Sequence, residues 1–108
     1  MENLETDLRS VPLEKILYAL SDETRLKIIS IIDEAGGELP CGSFAEKTGV
    51  TKPTLSHHLA ILRETGVVAT RMEGNQKLNT LRKKEMSRHF PGLLELVLKA
   101  VRKKRKRT

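Results

Sequence analysis

Apolar residues recur at helical spacing in four stretches of this chain and alternate in a fifth. Leu13, Ile16, Leu17 and Leu20 stand at i, i+3, i+4 and i+7, which predicts a helix opened at Ser10 and Pro12. Ser21-Asp22 breaks it and caps a second helix. There Leu26, Ile28, Ile29, Ile31 and Ile32 leave little polar circumference, so this helix is expected at the centre of the core, ending at Ala35-Gly36-Gly37. Glu38–Gly42 reads as a loop, Ser43 as the cap of a short third helix over Phe44–Thr48, and Gly49 as its end. Thr51, Pro53 and Gly66 bracket a fourth helix whose buried stripe is Leu55, Leu59 and Leu62.

After Gly66 the period changes from helical to alternating. Val67–Met72 is short and β-branched, Glu73-Gly74-Asn75-Gln76 is a turn, and Lys77–Leu81 alternates again, which predicts a two-stranded hairpin. Arg82–Phe90 reads as a polar helix. Pro91 then opens a last helix with Leu93, Leu94, Leu96, Val97, Leu98 and Val101 as its apolar positions. The first eleven residues carry only the sparse stripe Leu4, Leu8 and Val11, too short to hold itself, so this arm either frays or docks. The surplus of apolar positions at both ends predicts a homodimer seam at Leu4, Leu8, Leu94, Val97, Leu98 and Val101. The pattern therefore predicts a mainly helical domain with a small β-hairpin over residues 1–101, followed by a disordered basic tail over residues 102–108.

Charge sharpens this picture. Residues 1–50 hold 5 basic and 10 acidic side chains, residues 51–101 hold 9 and 4, and Arg102–Arg107 is an unbroken basic run. The second half is the positive end, and a polyanion is its natural partner. Only 3% of the residues are aromatic, too few for the stacking platforms that bind single strands. The single cysteine, Cys41, excludes an intrachain disulfide and suits a reducing cytoplasm. No apolar run approaches the ~18 residues of a membrane span, so no membrane partner and a cytoplasmic location are expected.

A short helix, a glycine-containing turn and a second helix with a polar outer face make a helix-turn-helix, and the hairpin that follows makes a wing. Opposite its leucine stripe the fourth helix carries Thr54, Ser56, His57, Ala60 and Ile61. This face is short, polar and almost free of acid, and it suits the major groove of duplex DNA. Adjacent helical residues point about 100° apart, so His57 and His58 do not converge on one ion or substrate. His57 lies near the centre of the outward face, whereas His58 lies at the margin of the leucine stripe, where a phosphate contact and a structural hydrogen bond are equally open. Arg71 and Lys77 flank the wing tip, with Asn75 and Gln76 between them. No catalytic triad, paired carboxylate or phosphate loop appears, so no enzyme is expected. Cys41, just before a helix N-terminus, is a candidate thiol sensor as well as an ordinary small apolar residue.

Three blocks of residues together resemble the ArsR-type arsenic-repressor family of winged helix-turn-helix regulators. They are Ala19–Ile28, Pro53–Val68 with its Ser-His-His-Leu and Leu-Arg-Glu-Thr-Gly segments, and the Arg71–Lys77 wing. The resemblance implies a homodimeric repressor of duplex DNA operators, joined through its first and last helices and often released by an inducer. Its recognition positions carry over to Lys52, Thr54, Ser56, His57 and His58. Metal-sensing members place a Cys-x-Cys pair where this chain reads Leu39-Pro40-Cys41-Gly42-Ser43. Others use Asp and His pairs on the last helix, where this chain offers His89 and Glu95. No metal site and no cofactor are expected, and the inducer is unidentified. The competing reading is a winged-helix interaction module or a nucleic-acid binder without sequence preference.

Overall fold

A computed structural model describes residues 5–106, with side chains described through Lys104; Leu4 of the predicted seam lies outside the described residues. A 3₁₀ turn at Leu8–Ser10 leads into α1 (Leu13–Ala19) and α2 (Glu23–Ala35), then β1 (Leu39–Pro40), α3 (Gly42–Thr48) and α4 (Lys52–Glu64). The strands β2 (Val68–Glu73) and β3 (Gln76–Leu81) follow, and α5 (Lys83–His89) and α6 (Leu93–Lys106) complete the described chain.

The expected helix boundary at Asp22 is formed as its chemistry requires. The residue is extended, and its carboxylate accepts the Arg25 backbone N–H at 3.0 Å. α2 is the core element: Ile28 and Ile29 are fully buried and Ile32 nearly so. The same core cluster holds Ile16 and Ala19 of α1, Phe44 of α3, the Leu55, Leu59 and Leu62 stripe of α4, Met86 of α5, and Leu94 and Leu98 of α6.

Four boundaries differ from the sequence pattern. Leu39-Pro40, expected within a loop, is a third strand that pairs antiparallel with β3 at Asn79 and Leu78, giving the sheet order β1-β3-β2. Two residues are too few to show alternation, and Pro40 is tolerated because β1 is an edge. α3 begins at Gly42 with Cys41 in the cap position, so Ser43 lies inside the first turn and caps nothing. The Cys41 N–H is already bonded to the Lys77 carbonyl at 3.1 Å, so the chain passes from strand to helix without a spacer. α6 starts after the Pro91-Gly92 turn and runs to Lys106. Residues 102–106 are thus its final turns, and Arg102 reaches Asp33 of α2 at 3.1 Å.

The N-terminal arm docks on its own chain. Leu8 is buried beside Gly66, the Thr6 hydroxyl donates to the Arg63 carbonyl at 2.9 Å, and Arg82 donates to the Thr6 and Gly66 carbonyls. Gly66 has φ +85°, and a Cβ there would come within 2.6 Å of Leu8 Cδ2. Backbone conformation and close approach both require glycine at the end of α4.

Candidate nucleic-acid interface

α4 is seated by Leu55, Leu59 and Leu62, which are buried against α2, and its opposite side is open. Lys52, Thr54, Ser56 and His57 are all exposed there, while Ala60 and Ile61 are half-buried beside them. No acid occurs in its first turn, whose N–H groups and helix dipole favour an anion. Thr51 occupies the cap position, but its side chain accepts no backbone N–H; its hydroxyl donates instead to the Thr54 hydroxyl at 3.1 Å. That bond orients Thr54 at the helix entrance.

His57 and His58 part company, as the 100° step between them requires. The His58 side chain is 12% exposed and turned toward α2, where Arg25 Nη1 donates to its Nδ1 at 3.1 Å and Asp22 Oδ2 lies 3.7 Å away. A guanidinium only donates, so Nδ1 is the acceptor in this bond. Of the two readings left open for His58, the geometry carries the structural hydrogen bond. Arg25 was not singled out in the sequence, yet it is the hub of this joint. Itself buried, it also donates to the Ala19 carbonyl at 2.8 Å and the Tyr18 carbonyl at 3.1 Å, and it lies 5.0 Å from the Tyr18 ring centroid. It thereby satisfies the end of α1 and links α1 and α2 to the α4 helix. Burial opposes ionisation of Asp22, but the Arg25 backbone N–H and the neighbouring Arg25 charge outweigh it and hold its carboxyl below the ordinary value.

In the wing, Gly74 and Asn75 form a two-residue turn between Glu73 and Gln76, with Gly74 in the positive-φ position. Asn75, Gln76 and Lys77 are exposed at the tip, and the Lys77 ammonium has no partner among the described residues. Arg71, predicted beside Lys77 as a second DNA cation, is placed otherwise. Its Nη2 donates to Glu38 Oε1 at 2.6 Å and to Glu73 Oε2 at 2.7 Å, and its Nε also bonds Glu38. The hydrogen bond from Arg71 holds the Glu38 carboxyl below its usual range, and the two carboxylates push the guanidinium pKa up. Its charge is therefore already matched twice within the chain.

Asn79 is a second residue whose role the pattern did not show. It is 1% exposed, takes the Thr70 hydroxyl proton at its Oδ1 (2.8 Å), and donates from Nδ2 to the Leu39 carbonyl (3.2 Å) and to Cys41 Sγ (3.3 Å). One amide thus ties all three strands together and meets the half-buried Cys41 thiol. Among the described residues no three His, Cys, Asp or Glu side chains gather as a metal site would need, and no helix is long and apolar enough to cross a membrane.

The predicted seam residues divide. Leu8, Leu94 and Leu98 are at most 6% exposed and belong to the protomer's own core, Val97 and Val101 are half-buried, and among the described residues the large apolar side chains left in the open are Leu13, Leu17, Tyr18 and Leu96. Leu8, Leu94 and Leu98 are thus taken up by the protomer itself, because apolar spacing alone does not say which arc the core takes.

Comparison with known proteins bears on this geometry. Residues 22–70 match the model of a family described as bacterial regulatory protein, arsR family. The HTH-type transcriptional regulator YceK of Bacillus subtilis is 43% identical over 81 residues, covering 75% of this chain and 81% of YceK. The transcriptional repressor SdpR of the same organism is 36% identical over 62 residues, covering 57% of this chain and 67% of SdpR. Among solved structures, HlyU from Vibrio cholerae superposes with a TM-score of 0.66 at 30% identity, over 81% of this chain and 88% of HlyU.

Proposed function

We infer the function from one premise: the chain belongs to the arsR family of bacterial regulatory proteins. It is a DNA-binding transcriptional regulator of the repressor class and not an enzyme. What supports this most directly is the outer face of α4, which carries no acid before Glu64, held open on a buried leucine stripe beside an exposed wing lysine. In this reading α4 lies in the major groove, with Thr54, Ser56 and His57 toward base edges and Lys52 on a phosphate. His58 acts through Arg25, fixing the roll of α4 on the domain. Asn75, Gln76 and Lys77 follow the backbone of the flanking DNA.

The active species is a homodimer that presents two α4 helices to a two-fold operator, with α1 and α6 at its seam, and an inducer releases it. Supporting the seam are the exposed Leu13, Leu17 and Tyr18 of α1 and Leu96 of α6. The test compares duplex DNA from upstream of the protein's own gene with scrambled duplex at near-physiological salt. Preference by ~10³ or more is expected for an operator. A ratio near unity would instead identify a binder that uses its basic half without reading sequence.

A further inference from the structure

Arg25 is 5% exposed, yet each of its side-chain bonds goes to a helix other than its own. From α2 its Nε donates to the Ala19 carbonyl at 2.8 Å and its Nη2 to the Tyr18 carbonyl at 3.1 Å, both at the end of α1. Its Nη1 donates to His58 Nδ1 of α4 at 3.1 Å. Among the described residues no hydrogen bond runs from α1 to α4 directly, so Arg25 is the polar link between them. The guanidinium is planar and its N–H groups form a fixed fork. A shift of the α1 carbonyls therefore turns the fork and moves the nitrogen that meets His58.

The two ends of this link differ in exposure. The Tyr18 ring lies over the guanidinium, 5.0 Å from centroid to Cζ, and Tyr18 is 56% exposed on α1 together with Leu13 and Leu17. His58, at the other end, turns inward and sits next to His57 on the DNA-facing helix. Asp22 steadies the middle: it accepts the Arg25 backbone N–H at 3.0 Å and lies 3.7 Å from His58 Nδ1.

We propose that Arg25 is a positioning residue that couples subunit contact to DNA reading. A partner protomer that covers Tyr18 fixes the guanidinium, and the guanidinium fixes the roll of α4 through His58. This relay deepens the dimer and DNA readings above and rests on both. It makes a protomer grip its half-site more tightly when its partner is in place, apart from any contact the partner makes with DNA. By linkage, a bound half-site in turn strengthens the dimer.

The first part of the test needs no DNA. In the full chain, Tyr18→Leu keeps an apolar side chain and both α1 carbonyls but takes the ring off the guanidinium. Amide resonances of residues 54–61 should then shift. The same substitution in a His58→Leu background, where Arg25 has no acceptor on α4, should leave them in place, whereas a ring-current change would persist. In a His58→Asn background, whose Oδ1 stands in for Nδ1, the shift should return. Unmoved α4 resonances, or equal shifts with and without the acceptor, overturn the relay.

The second part uses a duplex that carries one half-site, so that the partner protomer has no site of its own. The wild-type dimer should bind it at least ~5-fold more tightly than a monomeric Leu17→Glu, Leu96→Glu protein. Tyr18→Leu and His58→Leu should each remove that advantage, and the two together should lose no more than either alone. An advantage that survives both substitutions, or losses that add, overturns the coupling. Sedimentation of wild type and its preference for operator over scrambled duplex are measured first. A monomeric wild type, or one without that preference, fails the readings above, and the α4 resonances then still judge the Arg25 link.

Discussion

His57 and His58 are neighbours in sequence with ring centroids 5.7 Å apart, yet one faces solvent and the other α2. The difference follows from the leucine stripe, which fixes the roll of α4 and so decides what every other residue on it meets. The direction opposite Leu55, Leu59 and Leu62 runs close to His57 and Ala60; Thr54 lies to one side and Ser56 to the other. Thr54→Ala and His57→Ala should each cost about 1–3 kcal/mol on the operator and little on scrambled duplex. Lys52→Ala, at the helix entrance, should weaken both alike. Titrating the three variants against both duplexes at two salt concentrations separates these roles, and an equal loss for His57→Ala on both would make His57 a backbone contact. That face was legible because helical period alone defines it. The Arg25 partner of His58 was not, since it is 33 residues away, and its other bonds go to the backbone carbonyls of Tyr18 and Ala19. Asn79 escaped for the same reason: an amide that bridges three strands leaves no local spacing to read.

The wing shows what an element gains from contacts that cross the chain. Its two long strands declare themselves by alternation and a Gly-Asn turn, but β1 is two residues long and exists only through its pairing with β3. The same strand brings in Glu38, which, with Glu73, occupies Arg71. Of the two cations that flank the tip, Lys77 is thus the one available to phosphate. Lys77→Ala should weaken operator and scrambled duplexes to a similar extent and lower the slope of log affinity against log salt by about one unit. Arg71→Ala should leave that slope within error, because its guanidinium releases no counterion from DNA while it stays paired. Equal reductions for the two variants would show that the Arg71 pairs open on the duplex. Helix ends were misread for a related reason. Ser43 and Pro91 are good start residues locally, but the Cys41–Lys77 strand bond moves one boundary earlier and the Pro91-Gly92 turn moves the other later.

At the scale of the whole molecule, the chain carries more apolar side chains at its ends than one protomer buries. α6 has two apolar arcs: Leu94 and Leu98 face α2 and are 1% and 6% exposed, while Leu96 is 65% exposed. α1 repeats the division, with Ile16 and Ala19 fully buried against Leu13 and Leu17, which are 50% and 47% exposed. Single exposed leucines are ordinary on a soluble surface, but four large apolar groups on just these two helices are the raw material of a self-complementary seam. The surplus was legible in sequence, whereas the side facing outward was set by packing on α2. Two pairs of substitutions therefore have opposite readings. Leu17→Glu with Leu96→Glu should leave the protomer folded, with a melting temperature close to that of wild type at a concentration where wild type is monomeric. It should sediment as a monomer and bind the operator at least ~10-fold more weakly, because a lone half-site loses the partner's contacts. Leu94→Glu with Leu98→Glu should instead unfold the protomer, since it places two carboxylates in the apolar core. Sedimentation and thermal melting on both variants decide the matter. A Leu17→Glu, Leu96→Glu protein that still sediments as a dimer and binds its operator undiminished would place the seam on another face and remove α1 and α6 from it.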